Sequence, residues 1–503
     1  MDFSIFRQLS NPELANKTAV SDPRGELSYS ELDQWSTKVA AQIRKRGLSE
    51  ARTVGLLSSS RIEYVVGLIA IWKAGGTAVP LQTAHPVSEL LYIVEDADVS
   101  LMLVHPDFRS LADELGKNKA FQAIEIGPRE DDPVESIDVT VSPDANALMI
   151  YTSGTTRRPK GVPTTFSGLE SQIQSLLKAW CWASSDRTLN VLPLHHVHGV
   201  VNILSCALAA GASCEMSAKF DPAHVWDRIV KGDINVFMAV PTIYTRLLEH
   251  WKTQPEDVRA KWSEKARAMR LMVSGSASLP VPLFEAWEKA TGHRLLERYG
   301  MTEIGMALSN PYEGPRVPGR VGMPLPGVEV RLVDDDDAII EVPNVPGEIH
   351  VRGPGVFRGY WRLPEITAES FTEDGWFKTG DIAERDETGS YRILGRRSQD
   401  IIKSGGYKIS ALEIESALLE HEAIKEVAVV GVTDPEWGER VAAAYVSKVD
   451  LREEDCVAFL KGKLARYKVP TLWKRVDSLP RNAMGKVLKS GVRALFNNAS
   501  EKV

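Results

Sequence analysis

Cysteine is scarce. The chain has four in 503 residues (Cys181, Cys206, Cys214 and Cys456), with no CxxC pair and no zinc-ligand spacing. That excludes a disulfide-stapled or zinc-held scaffold and points to free thiols in a reducing compartment. Long apolar runs are missing as well. Stretches such as Val65 to Trp72 and Val200 to Ala210 fall short of the roughly 18 residues a bilayer span needs, so both read as buried core. There is no excess of positive charge: 60 Lys and Arg stand against 67 Asp and Glu, a net charge of −7, which excludes the basic footprint of a nucleic-acid binder. The first ten residues carry one base, an acid at position 2 and no long apolar core, and so match neither a secretory signal nor a transit peptide. Glu501-Lys502-Val503 is no peroxisomal address. The expected location is the cytoplasm, or the mitochondrial matrix if the N-terminus shown has been processed. Oligomeric state leaves no mark in the sequence.

What remains is an ordinary globular composition, 43% hydrophobic and 25% charged, in a chain long enough for two to four domains or subdomains. From Leu27 to about Val104 helix and strand patterns alternate. Ser28-Tyr-Ser-Glu opens a capped helix, Thr53 to Ser59 reads as a buried strand, Tyr64 to Ala74 as a helix ended by Gly75-Gly76, and Ala78-Val-Pro-Leu as the next strand. This is βαβ logic and predicts an α/β fold with parallel sheets covered by helices. Residues 127 to 144, rich in Pro, Asp and Glu, read as a surface loop. Beyond Ile393-Leu-Gly-Arg-Arg-Ser-Gln-Asp400 the pattern becomes a small α+β lobe: a helix 411–419, strands 426–432 and 441–446, and a helix from 453 to 465. The expected division is a large N-terminal domain, 1–395, and a small C-terminal domain, 396–503, joined by a polar, charged hinge.

The densest chemistry lies in Tyr151-Thr-Ser-Gly-Thr-Thr-Arg-Arg-Pro-Lys-Gly161. Hydroxyls of Thr152, Ser153, Thr155 and Thr156 donate to phosphate oxygens, Gly154 lets backbone N–H groups approach, and Lys160 adds a cation. The Walker A spacing is absent. Further on, Leu271 to Ala277 reads as a strand ending in the small residues Ser274, Gly275, Ser276 and Ala277, where a flat purine lies against backbone. Glu297-Arg-Tyr-Gly-Met-Thr-Glu303 offers an aromatic for stacking, hydroxyls, and a carboxylate suited to Mg²⁺. Three histidines in His195-His-Val-His198 have no second ligand cluster and do not read as a metal site. Asp334 to Asp337 lacks the Gly and distal Glu of a calcium loop and reads as a solvated turn. Arg246, placed on a first helical turn where a cation opposes the helix dipole, is expected to have an anionic partner.

Seven such phrases, in order from about residue 27 to 490, resemble the adenylate-forming superfamily of acyl- and aryl-CoA synthetases, luciferases and peptide-synthetase adenylation domains. The resemblance implies ATP and coenzyme A as co-substrates, Mg²⁺ as cofactor, and two half-reactions separated by rotation of the small domain. It implies that Glu303 holds the metal and that Lys160 and Lys486 serve catalysis. Thr152 to Thr156, Ser274 to Ala277, Glu297, Tyr299, Gly300, Met301 and Thr302 would line the ATP site. Asp381 would hold the ribose hydroxyls, with Arg396, or Arg397 one register on, beside it. Gly405, Gly406, Tyr407 and Lys408 would meet coenzyme A. His196 or His198 would gate the acyl site, with Met306 on its wall. One position departs: Arg157 stands where the family carries its second loop glycine.

Within the superfamily, Leu192-Pro-Leu-His-His-Val-His-Gly, Val240-Pro-Thr-Ile-Tyr-Thr-Arg, Arg270-Leu-Met-Val-Ser-Gly-Ser-Ala and Glu297-Arg-Tyr-Gly-Met-Thr-Glu-Ile-Gly-Met are very similar to malonyl-CoA synthetases. That resemblance implies that Arg246 and Arg298 project into the acyl pocket and grip the distal carboxylate of malonate. A pocket for a simple fatty acid would leave two arginines without a counter-charge. The alternatives are a medium-chain or aromatic acyl-CoA ligase and a stand-alone enzyme that loads a carrier protein.

Overall fold

The computed structural model describes residues 2–47, 52–127, 137, 139–152, 158–405, 407–481 and 487–497. Two sheets dominate the large N-terminal part. The first has six strands in the order Gln122–Glu125, Leu101–Val104, Thr53–Leu57, Thr77–Pro80, Asn146–Thr152 and Lys160–Thr165. All neighbours are parallel except the last pair. The second, of nine strands, has a parallel centre that includes Val236–Ala239, Leu271–Ser274 and Leu296–Met301, and continues on one side through the antiparallel strand Gly305–Ser309 to the edge pair Met323–Pro324. Every residue of the helix Ile62–Lys73 is buried, which explains its apolar surface all round. Its Trp72 indole donates to Ala147 O at 2.8 Å and ties it to the strand that leads into the phosphate loop.

The predicted helix opening at Ser28 is Tyr29–Lys45, with Ser28 and Glu31 forming a reciprocal capping box. Val200 to Ala210 is indeed core, although its first part is π-helical, His198–Ser205, before the α-turn Cys206–Ala209. Asp334 to Asp337 forms the expected exposed turn, Asp334 Oδ1 accepting from the amides of Asp336 and Ala338. All four cysteines are free.

A four-stranded antiparallel sheet, Glu329–Val333, Gly347–Arg352, Phe377–Arg385 and Tyr391–Arg396, closes the large part. Asp381 lies inside the strand Phe377–Arg385. Gly380 at φ +73° and a register shift after Ile382 make a local kink there. The chain then enters a separate five-stranded sheet with its own apolar cores, covered by the helices Ala411–Leu419, Glu453–Leu460 and Lys489–Asn497. Asp400 stands at the passage: its Oδ2 accepts from Arg396 N at 3.0 Å and its carbonyl from Ala411 N at 2.8 Å.

The hairpin Leu296–Met301 to Gly305–Ser309 turns through Thr302, Glu303 and Ile304, and Gly305 at φ +63° supplies the left-handed residue that a three-residue loop needs. A Cβ there would fall 2.4 Å from Gln172 Cδ. Gly305→Ala is therefore expected to cost about 2 kcal/mol, from backbone strain plus overpacking, and to displace Glu303. A thermal unfolding midpoint unchanged from wild type would contradict this.

Candidate active site

The paired strands Asn146–Thr152 and Lys160–Thr165 set Thr152 directly opposite Lys160. Ser153, Gly154, Thr155, Thr156 and Arg157 lie outside the described residues, as do Gly406 and Lys486. Lys160 Nζ lies 4.0 Å from the centroid of the Tyr360 ring, and the Tyr360 hydroxyl donates to Glu303 Oε1 at 2.9 Å. One buried tyrosine thus touches both the loop cation and the acid of the neighbouring hairpin. Phe357 N donates to Glu303 O and Trp361 N to Gly161 O, so the segment around Tyr360 is stitched to both elements through backbone. Sequence reading passed over Tyr360. The only signal was a Gly359-Tyr360-Trp361 phrase with no partner in view.

Among the described residues the buried Glu303 carboxylate receives a single hydrogen bond, and no group of three metal-ligating side chains exists. One carboxylate completed by substrate phosphates and water is a donor set that suits Mg²⁺, a hard ion that keeps several waters.

Asp381 and Arg396 are cross-strand partners, Arg396 Nε meeting Asp381 Oδ1 at 2.9 Å while the Tyr299 hydroxyl donates to Asp381 Oδ2. Burial raises the Asp381 carboxyl above its ordinary range, with Arg396 and Tyr299 opposing that shift. Burial and then the Asp381 charge push the Tyr299 phenol well up, so it stays a donor. Arg397 turns the other way, to Glu348 Oε2 at 2.9 Å. Arg396 is therefore the arginine beside Asp381.

The strand Leu271–Ser274 runs into Gly275, Ser276 and Ala277, and Ser276 adopts φ +66°. That strained turn aims Ser276 Oγ at two groups: His198 Nδ1 at 3.1 Å and Arg298 Nη2 at 3.5 Å. Arg298 is 4% exposed, and no carboxylate pairs with it among the described residues; its Nε has no hydrogen-bond partner. Burial pulls its guanidinium down to about 9, still charged at neutral pH. Gly275 makes room for it, since a Cβ there would fall 2.4 Å from Arg298 Cζ. Burial and the adjacent Arg298 charge hold the His198 imidazole well below its ordinary value, and its Nε2 is unpartnered. His196 is part-buried against His195, ring centroids 4.2 Å apart, and burial lowers it too. Met306, buried, pairs across the hairpin with Gly300; Met301 ends the first strand of that hairpin and Thr302 begins its turn.

Arg246 departs from expectation. Its helix, Pro241–Lys252, starts at Pro241, which puts residue 246 in the second turn. The side chain is exposed on the face opposite Ile243, Tyr244, Leu247 and Leu248, and no anionic partner is found among the described residues. The dipole argument fails because it acts only within the first turn. In the small lobe, Gly405 at φ +55° donates to Trp437 O, and the exposed Tyr407 ring stacks on Tyr467 with centroids 4.3 Å apart. Lys408 lies in the adjoining strand Tyr407–Ser410.

Glu297 was expected at the ATP site, but its carboxyl is buried, Oε1 accepting from Leu279 N at 2.9 Å and Oε2 unpartnered. Burial raises it to about 8.

Residues 8–361 match the family model described as AMP-binding enzyme, and residues 413–486 match its C-terminal domain. The mitochondrial malonate–CoA ligase of Bos taurus is 43% identical over 96% of this chain and 89% of its own. The ATP-bound crystal structure of MatB from Rhodopseudomonas palustris superposes with a TM-score of 0.89 at 34% identity, covering 99% of both chains. A malonyl-CoA ligase ternary product complex, with methylmalonyl-CoA and AMP bound, gives 0.71 at 36% identity over 95% of this chain and 100% of that one.

The raised Glu297 value fixes a pH dependence of stability. Between about 4.5 and 8 the folded chain holds a proton that the unfolded chain releases, so stability falls as pH rises through that window. Glu297→Gln keeps an acceptor for Leu279 N and removes the ionisation. It is expected to stabilise the protein by roughly 2 to 4 kcal/mol at pH 8 and by little at pH 4.5, as read by denaturant unfolding at both values. An equal effect at the two pH values would contradict this.

Proposed function

The chain belongs to the AMP-binding enzyme family, and from that premise we propose that it joins malonate to coenzyme A with ATP, through an acyl-adenylate, releasing pyrophosphate and AMP. The observation that carries the substrate is Arg298, a buried cation without a counter-charge beside a neutral histidine. Burying a charge unpaired costs several kcal/mol, and a ligand carboxylate offsets that cost where a hydrocarbon tail does not. Malonate brings a second carboxylate one methylene from the reacting one. Arg298 grips it, Ser276 and His198 fix the guanidinium, and His196 and Met306 wall the pocket. The resemblance assigns Arg246 to the same grip, and it is exposed on its helix with no anionic partner among the described residues. The methylmalonyl product named in the solved relative supports a place for a 2-methyl group.

In the first half-reaction a carboxylate oxygen of malonate attacks the α-phosphorus and the bond to pyrophosphate breaks. Both reactants are anionic, so the residues act by positioning and by neutralising charge. Lys160, held over Tyr360, and the phosphate loop from Thr152 to Thr156 take the polyphosphate. Glu303 would hold Mg²⁺, which neutralises phosphate charge when bound. Ser274 to Ala277 and Tyr299 to Thr302 bracket the adenine, while Asp381 takes the ribose hydroxyls with Arg396 beside it. Lys486 approaches the α-phosphate from the small lobe. In the second half-reaction that lobe, beginning near residue 396, rotates and presents Gly405, Gly406, Tyr407 and Lys408 to coenzyme A. The thiol sulfur then attacks the acyl carbon, and AMP leaves. Among the described residues no helix is long and apolar enough to cross a membrane, and the mitochondrial designation of the Bos taurus relative supports the matrix over the cytoplasm as the compartment.

Pyrophosphate release with malonate, methylmalonate, butyrate and octanoate, each with coenzyme A or a carrier protein as acceptor, tests the reading; turnover of octanoate above malonate sinks it. Arg298→Met should lower kcat/KM for malonate by about 30- to 1000-fold, roughly 2 to 4 kcal/mol, and leave butyrate nearly unchanged. Equal losses for both acids would make the arginine structural. Lys486→Ala should abolish adenylate formation while sparing thioester formation from supplied acyl-adenylate, and equal loss in both halves would count against lobe rotation.

A further inference from the structure

The two strands that carry Thr152 and Lys160 are gripped from outside the site by one helix, Val87–Asp96. Tyr92 and Asp96 stand four residues apart and so share a face of that helix. Asp96 Oδ2 accepts from the Tyr151 hydroxyl at 2.6 Å, one residue before Thr152, and the Tyr92 hydroxyl donates to Pro159 O at 2.9 Å, one residue before Lys160. The Tyr92 and Tyr151 rings meet edge to face at 6.4 Å, which joins the two contacts. Asp96 ends its helix, and its backbone carbonyl, an acceptor without an intrahelical partner, takes the Trp361 indole N–H at 2.9 Å. Trp361 in turn follows Tyr360, the residue that touches both Lys160 and Glu303. The helix end is therefore bonded to the strand ends beside Thr152 and Lys160 and to the segment that carries Tyr360.

We propose that Tyr92 and Asp96 are positioning residues for the adenylation half-reaction, holding Thr152 and Lys160 at the separation the polyphosphate requires. They touch neither ATP nor the acid. The inference rests on the ATP-dependent reading above but not on the choice of malonate. Rigid placement matters because an error of about 1 Å in a charge-stabilising group costs up to roughly 100-fold in rate.

The test uses the full chain and the variants Asp96→Ala, Asp96→Asn and Tyr92→Phe. Affinity for Mg·ATP by calorimetry needs no acid substrate, so it reads the clamp even where the malonate reading fails. ATP–pyrophosphate exchange and thioester formation from supplied acyl-adenylate then separate the two halves. Asp96→Ala is expected to weaken ATP binding and exchange together by about 10-fold or more, and Tyr92→Phe by about 3-fold. Thioester formation should stay within about 2-fold of wild type. Asp96→Asn, which keeps an acceptor for Tyr151, should recover most of the loss. Unchanged ATP affinity in Asp96→Ala, or equal losses in both half-reactions with no recovery by Asp96→Asn, would overturn the proposal. Tyr92→Phe removes one oxygen from a half-buried ring and keeps the test readable if Asp96→Ala folds poorly.

Discussion

A guanidinium buried without a counter-charge is the constraint to which the acyl end of this molecule is fitted. Arg298 sits on Leu296–Met301, a strand paired on both sides, so its backbone cannot retreat toward solvent, and a side chain in water's absence needs every donor placed. What surrounds it is shaped accordingly. Residue 275 is glycine because the guanidinium fills the Cβ position, Ser276 takes a left-handed conformation to bring its hydroxyl near, and burial together with the same charge keeps His198 neutral. The unpartnered Arg298 Nε leaves donor capacity unspent, whereas a buried cation such as Lys73 is paired, with Asp33. A site with that imbalance is built for an anion.

The phosphate end works by the opposite logic: its charges are tied before any ligand arrives. Tyr360 holds Lys160 against its ring and Glu303 through its hydroxyl, so a cation and an anion that would otherwise collapse on each other are kept apart by an aromatic body. Asp381 is similarly pre-bonded to Arg396 and Tyr299. Electrostatic preorganisation of this kind avoids reorganisation when charge moves in the transition state. Paired strands carry Lys160, Asp381 and Arg396, and the hairpin turn after Leu296–Met301 carries Glu303.

Much of this was legible in the sequence, and for physical reasons. Helix caps such as Ser28 with Glu31, strand and helix alternation, and the small-residue turn after Leu271–Ser274 are local signals, and each is found in the fold. Arg298 was singled out by the resemblance of the phrase around it to malonyl-CoA synthetases, not by any local periodicity. Arg246 shows the limit: where a helix begins decides whether a cation meets the dipole and which way it points, and Pro241 moved that start. Tyr360 was invisible because its importance lies in two long-range contacts, to Lys160 and Glu303, that no periodicity encodes. The choice between Arg396 and Arg397 likewise needed the strand pairing, which puts residue 396 opposite Asp381.

The central claim is that one buried charge selects a diacid. The most direct measurement compares malonate with its monomethyl ester, which has similar shape but no distal charge, in pyrophosphate release by the unmodified chain. A charge-assisted pair in a site closed to water is worth roughly 1.5 to 3 kcal/mol, with more lost when the arginine is left unmatched. The account predicts kcat/KM at least about 30-fold higher for malonate. Equal values for the two acids would contradict it.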